Sequence, residues 1–110
     1  MKVFYPVRYE DVAASPPHAP NTAYRVSFGI EHWGPGEAAH VYKIQMVYSG
    51  AVSGRRSPSY PEDSDDLQRV LVALDRVRKG GGAIGRGLIQ PVGPDKGFSH
   101  RQAKDLSAEG

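Results

Sequence analysis

Tyr24-Arg25-Val26-Ser27-Phe28-Gly29-Ile30-Glu31 sets apolar residues against polar or small ones at every second position, and the fold can be read outward from it. Successive side chains on an extended chain point to opposite faces, so this period of two predicts a half-buried strand. Gly34-Pro35-Gly36 interrupts the pattern. Val41 to Tyr48 then resumes it, with Tyr42, Ile44, Met46 and Tyr48 on one face and Lys43 and Gln45 on the other. Ser49-Gly50 suits a two-residue hairpin turn leading into a further strand from Ala51 to Ser57, which Pro58 and Pro61 end.

Upstream, Val3, Tyr5, Val7 and Tyr9 share one parity and Lys2, Pro6 and Arg8 the other, with Phe4 as the exception. Pro6 has no amide proton for a ladder, so this segment is expected to be an edge strand. Residues 11–22, with Pro16, Pro17 and Pro20, read as a loop. Downstream, Glu62, Asp63, Asp65 and Asp66 place negative charge where a helix N-terminus favours it, and Asp63 or Ser64 can cap. Leu67, Val70, Leu71, Leu74 and Val77 form the apolar stripe of a helix, with Gly80 as its C-terminal stop. Asp65 with Arg69 and Asp75 with Lys79 are i,i+4 pairs, each worth about 0.2–0.5 kcal/mol. The expected fold is α+β: an antiparallel four-stranded sheet followed by one amphipathic helix, β-β-β-β-α. One domain spans residues 1–92, and 93–110 form a flexible polar tail.

A chain of 110 residues has room for one core. The longest apolar run is far short of the ~18 residues that cross a bilayer, and the N-terminus lacks an apolar signal segment. With no cysteine there is neither a disulfide nor a thiolate metal site. These features fit a cytoplasmic protein. A net charge of +2 is too small to announce a partner, and no block of the chain is strongly basic. Any electrostatic site has to be made by folding charges onto one face.

Catalytic motifs are missing. Gly80-x-Gly82-x-x-Gly85 matches the bare glycine pattern of a dinucleotide loop, but it follows a helix and opens none, so it reads as a cap and linker. His18, His32, His40 and His100 lack the spacing of a helical metal pair. Glu31 and His32 are neighbours on a strand and point apart, and Ser57, Ser59 and Ser64 have no triad partners nearby in sequence. The expectation is a non-enzymatic module with no cofactor, no metal and no small-molecule substrate.

If the apolar parity packs on the helix, the other face of the sheet gathers Lys2, Arg8, Arg25, Lys43, Gln45 and one or both of Arg55 and Arg56, against Glu31 as its acidic member. Spaced cations of this kind suit a phosphate backbone, with Phe4, Trp33 and Tyr60 as candidate base stackers. The same face also reads as a solvated surface that keeps the domain soluble.

Residues 41–79, with a strand, a hairpin, the triplet Gly54-Arg55-Arg56 and then an acid-capped helix, resemble the C-terminal half of the PC4-like transcriptional coactivator domain. The resemblance implies four antiparallel strands and a helix, dimerisation through the helices, and single-stranded DNA on the sheets. It gives Arg55 and Arg56, and more weakly Lys43, as phosphate contacts; Pro58-Ser59-Tyr60-Pro61 departs from the family pattern. Single-stranded nucleic-acid binding by a homodimer, through Arg25, Lys43, Arg55 and Arg56, is one expectation. The other is a protein-interaction domain without nucleic acid, because Tyr5, Tyr9, Tyr24, Tyr42 and Tyr48 offer more aromatic surface than one helix covers.

Overall fold

A computed structural model describes residues 3–85 and 90–91 of the chain. Three long strands carry the fold: β1 (Val3–Ala13), β2 (Thr22–Gly34) and β3 (Glu37–Tyr48). Two-residue strand β4 (Ala51–Val52) follows, then helix α1 (Asp66–Arg78), β5 (Ala83–Ile84) and β6 (Gln90–Pro91). All pairings are antiparallel, in the order β4-β3-β2-β1-β5, with β6 also on β1. The α+β class agrees with the expectation.

Its details do not all agree. The fourth strand shrinks to Ala51–Val52, because the chain leaves the sheet well before Pro58. Nor is β1 an edge: β2 lies on one side of it, and β5 and β6 on the other. Pro6 is tolerated because the ladder with β2 slips by one residue between Pro6 and Arg8. Val7 is the extra residue, its carbonyl accepting the Gly85 amide at 2.9 Å. Loop 11–22 shortens, since β1 continues to Ala13 and β2 begins at Thr22. The tail 93–110 lies outside the described residues.

The turns behave as their residues dictate. Ser49 and Gly50 both have positive φ, the two-residue turn that matches strand twist, and they pair Tyr48 with Ala51. Pro35 and Gly36 join β2 to β3, with Gly36 at φ 75. Gly80, at φ 97, ends α1, and the Gly81 amide reaches back to the Arg76 carbonyl.

Helix α1 packs over β1 and β2. Its inner residues are Asp66, Val70, Ala73 and Val77, set against Val12, Tyr24, Val26 and Met46. The core stripe is therefore rotated from the one the leucines suggest: Leu67 is 49% and Leu71 50% exposed.

Candidate functional site

Asp66 is fully buried and is the polar hub of the fold. It accepts hydrogen bonds from the Ser15 amide (2.9 Å), the Ser15 hydroxyl (2.5 Å), the Tyr24 hydroxyl (2.7 Å) and Arg69 Nη2 (2.6 Å). Burial pushes the carboxyl up, but the bonds from Ser15 and Tyr24 and the charge of Arg69 outweigh it and hold Asp66 well below the usual carboxylate range. Burial first, and Asp66 second, push the Tyr24 phenol well above its ordinary value. Nearby, His18 Nε2 donates to the Ser59 carbonyl at 2.7 Å, and Tyr24 stacks at a tilt on Tyr60. The cluster ties the β1–β2 loop, β2, the loop before α1 and the first helical turn together. Two donors reach each oxygen of Asp66 from within the chain, and the cluster anchors the fold. Nothing in the sequence marks it, because Ser15, Tyr24 and Asp66 meet only through tertiary folding.

The predicted site residues are not brought to one surface. On the face away from the helix, Arg25 forms a two-pronged pair with Asp11 (2.8 and 3.0 Å) over the Tyr9 ring, and its side chain is only 12% exposed. Lys43 on the same face pairs with Glu31 and lies over the Phe4 ring. Both cations are thus already opposed by carboxylates. Phe4 is fully buried, its ring lying on Gly29, so it is no free stacker. Gln45 sits opposite Arg25 on β2.

Arg8 is not on that face. The extra residue Val7 flips the parity of β1, so Arg8 turns to the helix side and donates from Nη2 to the Val77 carbonyl at 2.8 Å. There it supplies positive charge at the helix C-terminus. The same flip moves Tyr9 to the opposite face, beneath Arg25. Arg55 and Arg56 stand in the exposed loop after β4, with no ion pair among the described residues. Arg56 lies over the ring of Tyr48, which belongs to the helix-packed face. Tyr60 is on that side too, and Trp33 sits at the irregularity between His32 and Gly34. Lys2 and His100 lie outside the described residues.

A different surface emerges on the helix side. Because α1 covers β1 and β2, Tyr42 on β3 is left 48% exposed on this face, beside Phe28 of β2 and Ile44, which are partly buried against the core. Phe28 stacks with His40 and tilts against Tyr42. The flank of α1 bearing Arg76 turns toward β1, where Arg76 pairs with Glu10; on the flank away from β1, Leu74 packs against the core and Leu67 and Leu71 are half exposed. Helix flank and strand face together make an apolar shelf.

The shelf ends at an open strand edge. β4 pairs with β3 only at Val47 and Tyr48, extended by one bond from the Ser53 amide to the Met46 carbonyl. From Glu37 to Gln45 the outer side of β3 has no strand partner among the described residues. That run holds no proline and no bulge, and its one lysine is turned onto Glu31. Among the described residues, the one side-chain charge left free along this run is that of Glu37. Among the described residues no group of acidic or histidine side chains is placed to hold a metal ion, and no helix is long and apolar enough to cross a membrane. The chain matches no family model, no curated protein and no solved structure.

Proposed function

We propose that this domain is a non-enzymatic protein-interaction module that takes an extended polypeptide as an added strand along β3. The observation that carries the reading is the edge from Glu37 to Gln45, without a strand partner among the described residues, beside an apolar shelf. Backbone amides and carbonyls of β3 supply affinity, and alternate side chains of the incoming strand rest on Tyr42, Ile44 and Leu71. The absence of cysteine suits a reducing, cytoplasmic setting.

The test is selection of random twelve-residue peptides on the immobilised full chain. Alternating apolar sequences should be enriched, lost on Tyr42→Glu, and retained on the double change Arg55→Glu with Arg56→Glu. Failure of any peptide class to be enriched, or enrichment indifferent to Tyr42→Glu, would overturn the reading.

A second reading keeps one observation of its own. Arg55 and Arg56 are exposed and unopposed by carboxylates among the described residues, with Tyr48 beneath Arg56, which favours a phosphate contact with single-stranded nucleic acid of the kind the resemblance to PC4-like domains implies. In that reading Arg25 and Lys43 contribute only after leaving Asp11 and Glu31. Anisotropy of a labelled single-stranded oligonucleotide at two salt concentrations separates the two: steeply salt-dependent binding abolished by the double charge reversal supports the nucleic-acid site.

A further inference from the structure

We infer that the strand added to β3 is β3 of a second copy of this chain, running antiparallel about a two-fold axis at His40. This rests on the strand-addition reading above and names its partner. Antiparallel self-pairing within one sheet needs an axis perpendicular to the sheet, which keeps each face on its own side. Facing residues must then share parity. The backbone allows this. Met46 directs its carbonyl away from β2, toward Ser53, and by strand alternation Ile44, Tyr42, His40 and Ala38 also direct their polar backbone groups to the free edge.

Charge and size choose among the registers. An axis at Lys43 sets one ammonium against its copy, which is unfavourable. An axis at Tyr42 opposes Val41 to Lys43, and an axis at Val41 opposes Ala39 to Lys43; neither gives the lysine a carboxylate across the strands. An axis at His40 places Glu37 opposite Lys43, Ala38 opposite Tyr42 and Ala39 opposite Val41. Glu37 is exposed and has no ion pair among the described residues, and it falls on the face where Lys43 already meets Glu31. Small Ala38 leaves room for the half-exposed Tyr42 ring. The result joins two sheets into one, with both helices on the same face and about six new backbone hydrogen bonds at the seam.

Because the chain has no cysteine, single-cysteine variants of the full chain read the register directly. Facing residues of an antiparallel pair lie within disulfide reach. Under mild oxidation, His40→Cys should form a covalent dimer by itself. Ala38→Cys and Tyr42→Cys should do so only when the two variants are mixed. By sedimentation velocity the unmodified chain should show a species of twice its 12.0 kDa monomer mass. Glu37→Lys, a change at an exposed side chain, should raise the dissociation constant about tenfold, because two attractive pairs become repulsive. A strictly monomeric chain up to about 1 mM would overturn the inference, and peptide capture at β3 by that monomer would still uphold the strand-addition reading. Cross-linking centred on any residue other than His40, or a dimer indifferent to Glu37→Lys, would overturn it as well.

Discussion

Asp66 shows how one residue can matter out of proportion to its size. A buried carboxylate without partners is ruinous, whereas this one is saturated by Ser15, Tyr24 and Arg69. Asp66→Asn keeps the shape but removes the charge that these donors converge on. It should cost about 3 kcal/mol and lower the melting temperature by more than about 10 °C, measured by circular dichroism. Tyr24→Phe removes one donor and should cost about 1 kcal/mol. The pH dependence has a definite sign. The folded-state value of Asp66 is depressed, so its contribution is present above the unfolded carboxylate value of about 3.9 and is lost as pH falls below it. Denaturant midpoints should therefore drop steeply below about pH 4 in the natural chain and less steeply in Asp66→Asn. Equal acid slopes in the two proteins would show that the charge is not the anchor.

At the scale of elements, the sheet's turns and close approaches make their own predictions. Ser49→Asn places, among residues with a side chain, the one best suited to positive φ in the hairpin turn and should stabilise the fold by about 0.5 kcal/mol in urea titration. Gly29→Ala should destabilise it by at least about 2 kcal/mol, because a Cβ there would lie 2.3 Å from the Tyr5 carbonyl and 2.8 Å from the Phe4 ring. The alternation in β2 and β3, the Ser49-Gly50 turn and the helix with its Gly80 stop were all legible from periodicity and turn chemistry. Val7 was not. A bulge adds one residue without any compositional mark, and that residue reverses the face of everything after it, including Arg8 and Tyr9. The helix stripe was legible as a stripe but not in phase, since small Ala73 and charged Asp66 occupy inner positions that a count of leucines overlooks. The basic face of the sheet was legible as a set of cations. What sequence spacing does not carry is that Asp11 and Glu31 fold against Arg25 and Lys43.

At the scale of the whole molecule, helix α1 laid over β1 and β2 leaves, among the described residues, the β3 side of the sheet unfinished in two ways, an apolar shelf and an unpaired backbone. Both defects point to a polypeptide partner, and the self-complementary register from Glu37 to Lys43 points to another copy. Leu71→Glu, at a half-exposed position, should weaken association through the shelf while shifting the unfolding midpoint little, as judged by sedimentation and urea titration in parallel. The most direct measurement is amide hydrogen exchange across β3 in the full chain as its concentration is raised. Self-pairing at His40 predicts that the outward-facing amides of Ala38, His40 and Tyr42 gain protection with concentration while those of Arg55 and Arg56 do not. Exchange at these three amides that is fast and independent of concentration would contradict self-pairing at β3, and if it stayed fast with selected peptides present, it would contradict strand addition altogether.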